Sequence, residues 1–483
     1  MLKHLLVCIG VYRYTGDTIP VTLTNFCPPI MSLTAVTTSM HENSVVAEPQ
    51  LVQVESNART YARKFPAQFQ KGEGLMLYDV EGTLDMFTPR FLLTLPLGHN
   101  HPILRQAILD YVESGLPQQC LDLATTAKAE FVTELWHWLP EKLRPDAKIQ
   151  FTSPAGTDAV EAAMKLVRIA TGRSTIIAFD GGYHGHTVGS LAAMGNIDTK
   201  SQLKTGVLGD IAFFPYPHPD YSPFGLESAD QTAQVSAKYL ESRLADPDSG
   251  ITKPAGIIVE CIQGEGGVVP APREWLKALR KIATKFDIPL IFDEVQSGFA
   301  RTGTGFAFEY AEGVVPDVIV MSKAVGGGMP LACVVYHKRL DIWQPGSHAG
   351  TFRGNQIALF TGSQVLRYMR INNLAAHAAD VGELFKARFL GYAEENRVRD
   401  RVLSVRGRGL MMGIQLVSPD GSRKEDGDLA LRVQRTLFDK HRFIIERGGR
   451  FGSVLRVLPP LTITREEIVR CAETLVKGIT ESL

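Results

Sequence analysis

The sequence predicts an α/β protein, with a large domain built on a mostly parallel sheet covered by helices on both faces, and a smaller α+β domain after it. Three observations carry that prediction. From about residue 102 to 375, short apolar runs alternate with amphipathic stretches. The runs end bluntly in Asp, Gly, Ser or Lys, and after about residue 380 the pattern changes. At 483 residues, 45% hydrophobic and 21% charged, the chain is long enough for two domains sharing an extensive core.

The apolar runs are Thr175–Phe179, Gly256–Glu260, Pro289–Asp293, Asp317–Met321 and Leu331–Tyr336, each too short to span a membrane. Between them, Trp275, Leu276, Leu279, Ile282, Ala283 and Phe286 recur at helical spacing within Arg273–Phe286, a packing helix. The later segment reads as strands at Met411–Val417, Phe443–Glu446 and Val454–Leu458, a helix from about Asp428 to Lys440, and a last helix after Thr464. Ser418–Gly427 reads as a polar surface loop. The expected division is an extension over 1–50, the N-terminal part of the small domain over 51–101, the large domain over 102–375 and the C-terminal small domain over 376–483.

Lys plus Arg equals Asp plus Glu at 51 each, so no basic surplus favours nucleic acid or an anionic membrane, and a small charged metabolite is the better partner class. Six scattered cysteines without a C-x-x-C pair suggest neither a disulfide framework nor a zinc ribbon and fit a reducing, cytoplasmic compartment. Leu5–Tyr12 superficially resembles the start of a signal peptide, but no small-residue cleavage site follows. Residues 1–30 are expected to be a dispensable arm, with Met31 an alternative initiator.

Ligands of open α/β sheets bind beyond the carboxyl ends of the strands. Four run ends carry chemistry: Asp293-Glu-Val295-Gln296, Ser322-Lys323 with Gly326-Gly-Gly328, Gly181-Gly-Tyr183-His184-Gly185, and Glu260 with Gln263-Gly-Glu265. A lysine at a strand end suits Schiff-base chemistry, because burial lowers the pKa of its amine. The following glycines are expected to let a cofactor approach the backbone. An acid thirty residues earlier, Asp293, suits the pyridine nitrogen of pyridoxal phosphate, which works as an electron sink when protonated. Ser153-Pro-Ala-Gly156-Thr157-Asp158 precedes a helical pattern over Ala159–Ala170, and a helix N-terminus offers N–H groups to a phosphate. An ordinary N-cap by Thr157 or Asp158 is the competing reading of that segment. No nucleotide-binding glycine fingerprint occurs, and the pairs His99/His101 and His184/His186 lack a third ligand, so no metal is expected.

Together, Glu260–Gly267, Asp293–Gly303, Ser322-Lys323 and Gly350-Thr351-Phe352 resemble the motifs of class III aminotransferases of fold type I. Leu121–Lys128, Gly156–Ala163, Gly181–Gly185, Gly350–Asn355 and Leu455–Pro460 more narrowly resemble the diaminobutyrate–2-oxoglutarate aminotransferases, and the resemblance covers about residues 55–480. It implies a seven-stranded type of sheet, pyridoxal 5'-phosphate as cofactor and a homodimer with active sites at the subunit interface. It implies that Lys323 is the Schiff-base lysine and the base of the proton shift, that Asp293 pairs with the pyridine nitrogen, and that Val295 and Tyr183, with its neighbour His184, pack about the ring. Gln296 would bond the phenolic oxygen, Gly156 and Thr157 the phosphate, and Thr351 the phosphate of the neighbouring subunit. Glu260 would lie beside cofactor and substrate. Glu265 and Arg456 match a switch pair that closes for a distal amine and opens to hold the α-carboxylate of glutamate.

The implied reaction is transfer of the 4-amino group of L-2,4-diaminobutyrate to 2-oxoglutarate, or the reverse. Other ω-amine donors, an aminomutase on the same fold and a non-catalytic binder of the cofactor are the alternatives. Two departures bear on substrate. His186 stands where relatives acting on 4-aminobutyrate or ornithine commonly have arginine, and Met86–Leu97 replaces a shorter Gly/Ala-rich loop. Arg90 in that loop is expected to contact 2-oxoglutarate, with a bulkier surface or interface loop as the alternative.

Overall fold

The computed structural model describes residues 54–80, 85–87, 95–201, 203, 209–420 and 422–483. Two compact units are distinguished, residues 1–64 and 65–483. The described part of the first holds a helical turn, Tyr61–Lys64, and an Arg59–Glu55 ion pair at 3.1 Å. The 1–50 extension with its signal-like run, and Arg90, lie outside the described residues.

In the second unit the chain opens with a three-stranded sheet of β1 (Phe69–Glu73), β2 (Met76–Asp79) and β3 (Asp85–Phe87). Helices α1 (Pro102–Glu113) and α2 (Thr126–Trp138) follow, then β4 (Ala147–Phe151), α3 (Gly156–Thr171), β5 (Ile176–Phe179), β6 (Ile211–Phe214), α4 (Ala229–Ala245) and β7 (Gly256–Val259). The small pair β8 (Ile262–Gln263) and β9 (Val269–Pro270) precedes α5 (Arg273–Lys285), β10 (Leu290–Asp293), β11 (Val318–Met321) and β12 (Cys333–His337). Seven of these strands form one sheet in the order β4-β12-β11-β10-β7-β5-β6. The pairs β5/β6, β5/β7, β7/β10 and β10/β11 are parallel, while β12 runs antiparallel to β11 and β4.

The sheet is apolar on both faces because successive side chains point opposite ways. Ile177, Phe179, Val259, Phe292 and Ile319 join the main core with Trp275, Leu276 and Leu279 of α5. Their neighbours Ile176, Ala178, Ile258, Ile291 and Val320 join a second cluster with Val160, Ala163, Met164 and Val167 of α3. Each such buried side chain contributes roughly 1.5–3 kcal/mol relative to exposure. All five apolar runs are strands, with ends within two residues of expectation. Of the seven strands, β4 and β6 had no matching run, because both are edge strands whose side chains are only partly buried.

After the sheet come α6 (Gln356–Ile371) and α7 (Leu374–Glu395), so the boundary expected at 375/376 falls in the first turn of α7. An antiparallel sheet follows in the order β13 (Val402–Arg408), β14 (Met411–Leu416), β16 (Val454–Val457) and β15 (Glu446–Gly448), flanked by α8 (Gly427–His441) and α9 (Arg465–Thr480). The strand expected at Phe443–Glu446 is displaced: the ladder begins at Glu446. Phe443, Ile444 and Ile445 are all buried in sequence, so they fill core on both sides of the chain and none is paid to alternate as a strand would. The N-terminal segment packs with this part: Leu461 N–H donates to Pro96 O (2.7 Å), and Phe65 lies 5.4 Å from the Phe438 ring. Among the described residues no helix is long and apolar enough to cross a membrane.

Candidate active site

Strands β5, β7, β10 and β11 end on one rim, and α3 begins there. A cavity of about 270 Å³ at that rim is lined by Gly156 and Thr157 from α3, Tyr183 and His184 after β5, Glu260 after β7, Asp293, Val295 and Gln296 from the end of β10, and Lys323 after β11. Nine residues singled out from separate stretches of sequence are thus brought to one place. A larger cavity of about 700 Å³ involves Lys71, Glu73, His99, Arg105 and Glu467. In it, Lys71 pairs with Glu73 at 2.8 Å, and Glu467 accepts from Thr464 N–H at the start of α9. We assign the chemistry to the smaller cavity.

Asp293 is buried and held on two sides. Its Oδ2 lies 2.8 Å from His184 Nδ1, and its Oδ1 accepts from Val295 N–H at 3.1 Å. Burial opposes a charge on His184, but the bond to Asp293 and the negative charges of Asp293 and Glu260 together outweigh it and raise the imidazole above its ordinary pKa. Glu260 accepts from Tyr183 N–H (2.8 Å) and Gly264 N–H (2.9 Å), and burial pushes it up to about 7. Burial and the carboxylates of Glu265 and Glu260 push the Tyr183 phenol up to about 12, which keeps it protonated.

Lys323 adopts a left-handed φ of +48° immediately after Ser322, whose hydroxyl donates to Leu331 O at 3.0 Å. The glycines behind it do not line the cavity, where the sequence had suggested that they let a cofactor approach the backbone. A Cβ on Gly327 would meet Thr361 O at 2.8 Å, and one on Gly328 would meet Leu104 at 2.9 Å, so they admit α6 and α1. Helix α3 starts at Gly156 with Ala155 as N-cap and no side-chain cap, so neither Thr157 nor Asp158 is the cap. Asp158 instead accepts from Ser153 N–H at 2.8 Å. Gly156 and Thr157, the first two residues of a 16-residue helix, therefore face the cavity with N–H groups that no side chain caps.

The family described as Aminotransferase class-III matches residues 58–479. This chain belongs to the class III aminotransferases. Among its relatives, the diaminobutyrate--2-oxoglutarate aminotransferase of Rhizobium meliloti (strain 1021) is 46% identical over 420 residues, covering 86% of this chain and 88% of the relative. The enzyme of the same name from Haemophilus influenzae is 44% identical over 436 residues, covering 89% and 94%. The fold is that of solved transaminases. The ω-transaminase from Pseudomonas jessenii in complex with PMP superposes with a TM-score of 0.80 at 24% identity, covering 91% of this chain and 98% of the other. A PLP-bound amine transaminase from an uncultivated Pseudomonas species gives 0.77 at 25% identity, covering 89% and 97%.

Beside the cavity of this aminotransferase, Arg456 on β16 reaches Glu265 Oε2 at 2.7 Å, and Glu265 Oε1 accepts from Gln296 Nε2 at 3.0 Å. Arg456 also lies 3.4 Å from Glu446 Oε2 and donates to Gly264 O at 3.2 Å. Glu446 was missed by sequence reasoning, because only the cross-strand register, Glu446 opposite Arg456, brings it there. His186 and Ser322 also line the cavity; both adjoin assigned residues, which was the available signal. Thr351 is exposed and does not line the cavity of its own chain.

The lining suits pyridoxal phosphate. Gln296 Oε1 is buried without a hydrogen-bond partner in the chain, α3 presents uncapped N–H groups, and Gly156 is confined by Val295, whose Cγ1 a Cβ would meet at 3.0 Å.

Proposed function

We propose that this aminotransferase transfers the 4-amino group of L-2,4-diaminobutyrate to 2-oxoglutarate, giving aspartate 4-semialdehyde and glutamate, with pyridoxal 5'-phosphate as cofactor. The observation that carries the reading is the convergence of Lys323, Asp293 and the open N-terminus of α3 on one cavity, with the Glu265–Arg456 pair at its edge. Relatives bearing the diaminobutyrate name at up to 46% identity support the substrate. Bound there, the cofactor supplies an electron sink that lets a proton leave the carbon carrying the amine.

Lys323 Nζ would hold the cofactor and would serve as the base for the proton shift, an efficient arrangement because the amine stays positioned at the cavity. Asp293 would keep the proton on the ring nitrogen, and His184 fixes its carboxylate. Tyr183 and Val295 would pack against the ring, Gln296 would bond the phenolic oxygen, and Gly156 and Thr157 would hold the phosphate. Glu260 ties the Tyr183 loop to Gly264, next to Glu265. Arg456 stays with Glu265 while an amine-ended substrate is bound, and turns to the α-carboxylate when glutamate is. Thr351 serves the partner subunit of a homodimer, a reading supported by its exposed neighbour Phe352, 61% accessible. In the same reading, residues 51–101 and 376–483 form a small domain around the 102–375 core, in the cytoplasm.

The test is a pair of half-reactions on the yellow holoenzyme. Diaminobutyrate should bleach the visible band and 2-oxoglutarate should restore it. A band that persists with diaminobutyrate but falls with another amine would refute the substrate, and restoration without any keto acid would favour a mutase.

A further inference from the structure

We propose that His348 is a positioning residue that acts through Thr351: held by Asp158 at the start of its own chain's α3, it fixes the loop from which Thr351 reaches the neighbouring subunit's cofactor. The inference rests on the homodimer reading just given, and it names what sets the donor that one subunit lends to the other.

Thr351 lies in the connection of residues 338–355 between β12 and α6, whose one regular element is a helical turn at Lys338–Leu340. A hydroxyl on an irregular connection binds weakly unless the loop is ordered beforehand, because ordering it on binding costs conformational entropy. The body of the chain supplies that order. Lys165 Nζ of α3 donates to Ser347 O at 2.7 Å, Gln150 Nε2 of β4 donates to His348 O at 3.3 Å, and Gln119 Nε2 donates to Thr351 O. Gly350 passes so close to Ser153 that a Cβ on it would collide with the Ser153 hydroxyl.

The side chain of His348 ties this loop to the start of α3. Its Nε2 lies 3.2 Å from Asp158 Oδ2, and the same oxygen accepts from Ser153 N–H at 2.8 Å. The imidazole is 7% exposed, and its Nδ1 is buried with no partner among the described residues. A buried ring with one polar contact is placed by that contact, since a shift of the loop that breaks it leaves both nitrogens unpaired. Asp158 follows directly on Gly156 and Thr157, which line the cavity of its own chain. Thr351, three residues beyond His348, is exposed and lies outside that cavity. One carboxylate thus stands between the turn that faces its own subunit's cavity and the loop that offers a hydroxyl to the other subunit.

The test follows release of pyridoxamine 5'-phosphate from the aminated holoenzyme on dilution, in wild type, His348→Leu, His348→Gln, Thr351→Ala and the double variant His348→Leu/Thr351→Ala. Losing one hydrogen bond to a charged phosphate speeds release roughly 10- to 150-fold. We expect Thr351→Ala to release faster by that factor and His348→Leu by a comparable or smaller one. His348→Gln should restore slow release, because its amide still donates to Asp158, and the double variant should be no faster than Thr351→Ala alone. Multiplying effects in the double variant overturn the proposal, since His348 would then act through α3 or the fold at large; so does release from His348→Leu at the wild-type rate. Should His348→Leu not fold, His348→Ala carries the same comparison. If Thr351→Ala releases at the wild-type rate, the homodimer reading of Thr351 fails and this proposal falls with it; a fast Thr351→Ala with multiplying effects overturns this proposal alone.

Discussion

Replacing Glu265 by Gln removes one charge from the Arg456 pair and leaves the shape of the site nearly unaltered. The Gln side chain can still accept from Gln296 Nε2, now at 3.0 Å from Glu265 Oε1. At the observed 2.7 Å and an effective dielectric near 20, the raw attraction to Arg456 is about 6 kcal/mol. Most of that does not survive. The Arg456 side chain is only 3% exposed, so its desolvation offsets much of the attraction, and Glu265 is 33% exposed, so water screens it. A net of about 1–2 kcal/mol remains, equivalent to roughly 5- to 30-fold. In Glu265→Gln, Arg456 keeps only the more distant Glu446 carboxylate and is freer to meet a substrate carboxylate. The two half-reactions, measured separately by stopped-flow absorbance, should therefore diverge. The ratio of kcat/KM for glutamate over diaminobutyrate should rise by about that factor, since a guanidinium released from Glu265 attracts the one and repels the ammonium end of the other. Equal changes in both half-reactions would refute the switch assignment.

Lys323→Ala should lose the covalent attachment, seen by mass spectrometry as no cofactor fixed to the chain after borohydride treatment, with a rate loss of about 10²–10⁴-fold or more. A fixed cofactor in that variant would reassign the lysine. Burial raises Glu260 and Glu294 from 4.5 to about 7, so between those values the folded chain binds more protons than the unfolded chain and stability falls as pH rises. Glu294→Gln should remove about 2 kcal/mol from that dependence between about pH 5.5 and about pH 8, read from urea midpoints at the two values; an unaltered slope would contradict it. Gly382→Ala on α7 would drive a methyl to 2.1 Å from Gly409 O, backbone against backbone, and should lower stability by about 1–3 kcal/mol or more, visible as a lower Tm. A variant as stable as wild type would show that the two segments can separate cheaply.

Lys323, Asp293 and Glu260 could be found in the sequence because each follows directly on an apolar run, and strand and catalytic residue are then a local pattern. The interior strands β5, β7, β10, β11 and β12 were legible for the same reason: they are apolar on both faces. The edge strands β4 and β6 and the displaced β15 were not, since half-solvated or core-filling residues leave no period to read. The glycines after Lys323 were misjudged because a sequence shows that a side chain is missing but not which neighbour occupies the space. In the structure that neighbour is α6 or α1.

By itself the sequence determined which chemical groups stand at which strand ends, and hence the family and the class of reaction, because those depend on contiguous residues. Tertiary structure alone decided the partners. His184 and Asp293, 109 positions apart, share a buried hydrogen bond, and Glu446 meets Arg456 through the register of two antiparallel strands. His186 reaches the cavity wall because Gly185 lets the loop pass Thr157. Such pairings arise when distant segments exclude water together, and the free energy that selects them appears only once both sides of the contact are in place.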